Sequence, residues 1–247
     1  MTVTRRSEGI YGYVVIEAAP SNRFDAEIRQ GLLSAAEWAE AEGLERVIVS
    51  GALAAAPAAP EGGPSLQEAL SRIETSVVPW IAVLEGDATG AGADLVLACQ
   101  YRVAAPGATI AFPEAAAGAL PCGGATQRLP RLVGLERALA MIAGGEAVGA
   151  ADAKAMGLVD EIDAEALSFA EMTNGEWLGM AVPVWELNTG DVDEAAFDAA
   201  RAKAAGNAAA LKAIDLLSLA RTAPFADGLA AEAEAAAALS AAQAAGA

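Results

Sequence analysis

The sequence predicts an α/β fold. Three observations lead there. A strand, an amphipathic helix and a second strand follow one another over residues 9–50 with short connections. A succession of apolar strand, glycine-broken turn and helix then recurs over residues 77–127. Past residue 163 the chain turns to Ala- and Glu-rich helix. Alternating strands and helices imply parallel pairing with right-handed crossovers.

Residues 9–18, GIYGYVVIEA, alternate and are rich in Val, Ile and Tyr, which predicts a strand. Pro20-Ser21-Asn22 is a turn, with Asn22 as the expected helix cap. Residues 24–42 place Ile28, Leu32, Leu33, Ala36 and Trp38 at helical spacing, and Gly43 ends that helix. ERVIVS, residues 45–50, reads as a short buried strand. The Ala/Pro/Gly-rich residues 52–64 read as a loop and 65–76 as a helix. A strand follows at 79–84, a turn from Gly86 to Gly92, a helix at 93–100, and strands at 101–105 and 108–112. Residues 128–158 read as two helical pieces around Gly144-Gly145, and 158–162 as a last short strand. The tail, residues 193–247, reads as alanine-dominated helices interrupted at Gly206-Asn207, Pro224 and Gly228. The expected domains are a core over residues 1–185 and a helical segment over 186–247.

The totals exclude several functions. The chain has 33 acids against 15 bases, a net charge of −18, so no nucleic-acid partner is expected. No apolar run reaches the length of a membrane span, and the first residues do not read as a secretory signal. Two cysteines make neither a disulfide framework nor a zinc site, and a reducing, cytoplasmic setting is expected. The absence of histidine removes the Ser–His–Asp triad, the Cys–His pair and histidine metal ligands. Acid–base chemistry then falls to carboxylates, lysine, tyrosine, cysteine or backbone dipoles.

Two acids lie in otherwise apolar runs: Asp94 in the helix after the glycine turn, and Glu114 after Pro113. Two carboxylates sharing an apolar pocket have their pKa values driven apart, which makes an acid and a base from one residue type. Glycines ahead of a helix let a ligand approach backbone N–H groups. On residues alone the same stretch also fits a structural tight turn, with Asp94 capping or salt-bridged and Glu114 exposed.

The stretch IAVLEGDATGAGADLVLACQYRVAAPGATIAFPEAAAGALPCGGATQRLPRLVG resembles the enoyl-CoA hydratase/isomerase (crotonase) superfamily, whose pattern runs NGxAxGGGxEL, PE, GxxPxxGGTQRLPRLVG. The resemblance continues in GEAVGAADAKAMGLVDEI and reaches back to APSNRFDAEIRQGL and VIVSGA, covering residues 8–165. The tail, from AFDAARAKAAGN onward, is similar to the helical segment that follows the hydratase/isomerase half of bifunctional enoyl-CoA hydratase/3-hydroxyacyl-CoA dehydrogenases.

The resemblance implies a crotonase-like core of repeated ββα units with a C-terminal helical appendage. It implies an acyl-CoA thioester as substrate, with coenzyme A entering as part of that substrate and no other cofactor or metal. It places the acids at Asp94 and Glu114 and one oxyanion N–H at Ala91. The second oxyanion donor falls on a loop where Pro60 lacks an N–H, so either Ala59 or Glu61 takes its place or half the hole is absent. Arg23, Ala58, Pro60, Gly90, Cys122 and Gly123 fall at substrate-binding positions. Asp94 stands where the family has glutamate, which draws the carboxylate back by roughly 1–1.5 Å. Glu85 and Cys122 replace a usual asparagine and glycine. The implied activity is hydration of a 2-enoyl-CoA or a double-bond shift in fatty-acid-type oxidation. The alternative is a catalytically impaired CoA-thioester-binding or assembly subunit. By family analogy the chain is expected to form a homo-oligomer, a trimer or hexamer, away from membranes and nucleic acid.

Overall fold

A computed structural model describes residues 2–17, 23–57, 62–173, 178, 181–190 and 194–246. They form two compact units, Met1–Ile110 with Gly149–Pro183, and Ala111–Val148 with Val184–Ala247.

The first unit carries a sheet of β1 (Thr2–Glu8), β2 (Tyr11–Glu17), β4 (Arg46–Gly51), β6 (Trp80–Leu84), β8 (Tyr101–Ala104) and β11 (Glu161–Ile162), side by side in that order. β1 and β2 are an antiparallel hairpin in which Glu8 faces Tyr11, and every later pair is parallel. β6 is buried along its whole length, as a central parallel strand must be. A second sheet holds the short strands β3 (Arg23–Phe24), β5 (Ala54–Pro57), β7 (Ala88–Gly90), β9 (Thr109–Ala111) and β10 (Val148–Gly149). Each long strand is followed by a short one and then a helix. β2 and β3 lead to α1 (Ala26–Ala41), β4 and β5 to α2 (Leu66–Glu74), and β6 and β7 to α3 (Ala91–Ala98). These are repeated ββα units.

α1 buries Ile28, Leu32, Ala35, Ala36 and Ala39, and its N-terminus is capped by Asp25, whose Oδ1 accepts from Ile28 N at 3.1 Å. Asp25 thus caps α1 in place of the expected Asn22, which itself lies outside the described residues. Ser65 caps α2 in the same way at 3.0 Å.

Two further expectations are corrected and one strand is added. Thr2–Glu8, outside every element read above, is a strand whose seven residues all pair with β2. The supposed loop 52–64 contains β5, whose Ala54 and Ala55 pair with Thr89 and Gly90 of β7. Sheet partners decide both strands, since β-propensity is mostly context. Gly228 does not interrupt the tail. It lies inside a helix spanning Phe225–Gly246, where a Cβ would meet Gln127 Oε1 at 2.1 Å.

The second unit is mainly helical: α4 (Ala125–Val133), α5 (Leu135–Ala138), a π-turn (Leu139–Ala143), and then α8 (Glu194–Lys203), α9 (Ala208–Thr222) and α10 (Phe225–Gly246). The intervening α6 (Ala150–Ala155) and α7 (Ala166–Met172) belong to the first unit. α9 packs on α4 and the π-turn, and α10 packs on α4 and α9. Compactness groups the tail helices with Ala111–Val148.

Candidate active site

The glycine turn sits in the first unit. β6 delivers the chain to Asp87, whose Oδ1 accepts from Thr109 Oγ1 at 2.7 Å. Gly90 takes φ +56°, a conformation L side chains rarely adopt, and the next residue begins α3. A Cβ on Gly92 would lie 1.8 Å from Leu53 O, so α3 can cross β5 only with glycine there. Between these two glycines Ala91 is fully buried as the first residue of α3. The N–H groups of a helix's first turn have no partner within that helix, and Ala91 is in that turn. Every residue of α3 is buried, Asp94 at 1% exposure. The charge of a carboxylate in such a place needs compensation or a task.

Arg23 is exposed on β3, opposite Ala56. Ala58, Ala59, Pro60 and Glu61 lie outside the described residues. The segment just after them is held by Arg29, a residue the sequence reading did not single out. Its guanidinium is buried and donates to Pro64 O at 2.7 Å, Gly62 O at 3.1 Å and Phe24 O at 3.1 Å. The available signal was an arginine beside Ile28 on the apolar face of α1. Cys99 is also buried here, and burial pushes its thiol up to about 12, out of reach of thiolate chemistry near neutrality.

Glu114 belongs to the second unit. It follows Phe112-Pro113 in a compact turn closed by Ala117 N to Pro113 O at 3.0 Å and Ala119 N to Glu114 O at 2.8 Å. Its side chain is 7% exposed, and among the described residues no side chain donates a hydrogen bond to either carboxylate oxygen. Burial raises its pKa to about 7, against the pull of its own backbone N–H and with a push from Glu232. The reading of Glu114 as an exposed surface acid is therefore excluded.

Cys122 is half-buried on the approach to α4, and Gly123 O accepts from Arg128 Nη1. Gly124, with φ +101°, starts α4 without a side-chain cap of its own. The cap comes from the tail. Glu232 of α10, fully buried, accepts from Gly124 N at 2.6 Å, Thr126 N at 2.8 Å and Thr126 Oγ1 at 2.6 Å. A carboxylate suits a helix N-terminus. The same face of α4 docks the other tail helices: Gln127 Nε2 donates to Leu216 O at 3.0 Å, Arg131 Nη2 donates to Ala220 O at 3.2 Å, and the Arg131 guanidinium lies 4.9 Å from the Phe225 ring. Sequence reasoning missed Glu232, because an acid in AAEAEAAAA looks like any solvated helix residue.

Among the described residues no helix is long and apolar enough to cross a membrane. Residues 52–174 match the family described as Enoyl-CoA hydratase/isomerase. The chain is 36% identical over 187 residues to the peroxisomal bifunctional enzyme of Danio rerio, covering 72% of this chain and 26% of that protein. It is 40% identical over 98 residues to Enoyl-CoA isomerase/hydratase fer4 of Mycosarcoma maydis, covering 39% of this chain and 36% of that one. The chain thus spans about a quarter of the first relative's length and about a third of the second's. Among solved structures, enoyl-CoA hydratase from Mycobacterium smegmatis is 26% identical with a TM-score of 0.65, covering 97% of this chain and 98% of that one. DspI of Pseudomonas aeruginosa is 29% identical with a TM-score of 0.64, covering 74% and 85%.

Proposed function

The chain belongs to the enoyl-CoA hydratase/isomerase family, and from that premise we propose that it acts on acyl-CoA thioesters, adding water to a 2-enoyl-CoA or shifting the double bond of a 3-enoyl-CoA. The observation that carries the reading is Glu114. A carboxyl at 7% exposure, titrating near 7 and hydrogen-bonded by no side chain among the described residues, is poised to give and take one proton at neutral pH.

In hydration, water oxygen bonds to the β-carbon, a proton reaches the α-carbon, and the electron pair rests meanwhile on the thioester oxygen as an enolate. In the shift, the proton leaves the α-carbon and one returns at the γ-carbon. Both routes need an N–H donor for the enolate oxygen, and Ala91 N–H is assigned that role. Ala59 remains the second donor that the family pattern suggests. Glu114 moves the proton, and Asp94 is the second acid of the pattern. Arg23, Gly90, Cys122 and Gly123 are assigned to substrate binding, and the loop at Ala58 and Pro60 is assigned with them. A cytoplasmic setting and a homo-oligomer, trimer or hexamer, complete the proposal. The relatives are named as enzymes, which supports catalysis over a binding-only subunit.

The test is turnover of crotonyl-CoA, followed by loss of enoyl absorbance, and of a 3-enoyl-CoA, in wild type, Glu114→Gln and Asp94→Asn. Glu114→Gln is expected to lose about a hundredfold or more in kcat. Equal loss in Asp94→Asn indicates two-acid hydration, and loss only at Glu114 indicates single-acid double-bond shift. A wild type that turns over neither substrate overturns the reading.

A further inference from the structure

We infer that Asn207, in the tail, is a positioning residue that fixes the Glu114 loop for proton transfer. This rests on the acid–base role proposed for Glu114. Among the described residues no side chain hydrogen-bonds the Glu114 carboxylate, so its place is set by packing and by the backbone of residues 113–119. That backbone closes on itself through Ala117 N, Gly118 N and Ala119 N.

From outside, the loop is tied by the tail. Asn207 Nδ2 donates to Ala115 O at 2.9 Å and to Ala116 O at 3.4 Å, the two carbonyls directly after Glu114. Gln243 Nε2 adds a bond to Gly118 O at 2.7 Å from an exposed position near the end of α10. On a further side, Gly145 at φ +69° leaves room for the Ala116 methyl, since a Cβ there would come within 2.8 Å of it.

Asn207 is itself fixed. Its Oδ1 accepts from Ala210 N at 3.0 Å as the N-cap of α9, and its own N–H donates to Ala204 O at 2.9 Å. One amide therefore uses its oxygen to start a tail helix and its nitrogen to grip the loop of the acid. α9 in turn is locked to α4 through Leu216 O and Ala220 O. A loop shift near 1 Å is enough to cost a large factor in a proton transfer.

Serine separates the two functions. Asn207→Ser keeps an N-cap oxygen but loses both donors to the loop. The expected result is a melting temperature close to wild type, kcat lower by about tenfold with KM within about twofold, and a Glu114 titration moved down from near 7 as water reaches the loosened carboxyl. That titration is read by carbon-13 NMR of labelled glutamate, with Glu114→Gln giving the assignment. A serine variant with wild-type kcat and an unmoved titration overturns the proposal. So does one that loses melting temperature together with kcat while the Glu114 titration stays in place, because Asn207 is then only a cap. If wild type turns over no enoyl-CoA, the functional reading fails, while the titration still decides whether Asn207 holds the Glu114 loop.

Discussion

Asp94 rides on a buried helix whose entry is fixed by adjacent glycines, whereas Glu114 stands on a loop tied down by Asn207 and Gln243, which lie 92 and 125 positions along the chain from the carbonyls they hold. The first acid is placed by local backbone: Gly90 turns the chain, Gly92 lets α3 pass Leu53 O, and Asp94 follows two residues later. The second is placed by tertiary structure, through the helices of residues 194–246. The difference teaches that one family motif can be locally encoded at one acid and dependent on the tail at the other.

The sharpest way to break the local half is Gly92→Ala. The new Cβ lands 1.8 Å from Leu53 O and 2.5 Å from Leu53 C, both backbone atoms. The strand holding them cannot yield, because Leu53 O already accepts from Thr89 N and Ala55 N at 3.0 Å each. A loss of about 3 kcal/mol or more is expected, seen as a collapse of the denaturation midpoint or of soluble yield. A variant that melts like wild type would show that α3 is not pinned as described.

This asymmetry also sets what the sequence made legible. The strand–helix alternation, α1, α2 and the central strands were readable because their apolar periodicity is strong, and the ββα repeat was implied by the family resemblance. Asp94 and Glu114 were readable because each interrupts an apolar run beside a turn signal. β5 was not, since Ala54–Pro57 lacks β-branched residues and becomes a strand only by pairing with β7. The cap on α4 was invisible for a related reason: Gly124 offers no side chain, and the acid that serves it lies 108 positions later in the chain. Gly228 reads as a helix break by propensity, yet it is where α10 needs room for Gln127.

The second test reads Glu114 through stability. Burial raises its folded pKa to about 7 from an ordinary 4.5. A carboxyl raised on folding favours the folded state while protonated, fully below about 4.5, and that contribution is lost as pH rises through 7. A shift of this size corresponds to roughly 3 kcal/mol between the two limits. Wild type is therefore expected to lose melting temperature between pH 5 and 8 relative to Glu114→Gln, which keeps a neutral side chain throughout. Parallel melting curves for the two proteins across that range would mean the carboxyl is not desolvated. Asp94→Asn serves as the control on the locally placed acid.

The smallest effect sharpens the distant half. Glu232→Gln keeps one acceptor oxygen for the start of α4 but replaces the other with a donor, which then faces an N–H or the Thr126 hydroxyl. One buried donor loses its partner, a cost of about 1–2 kcal/mol in urea denaturation. Burial also raises the pKa of Glu232, and the substitution removes whatever negative charge it carries toward Glu114, so the Glu114 titration should move to lower pH. Burial, the leading cause, stays in place, which limits that shift to a fraction of the whole. If the stability loss appears and the Glu114 titration does not move, α10 supports α4 without reaching the acid. If both move, the electrostatics of Glu114 are set partly by a helix that begins more than a hundred residues after it.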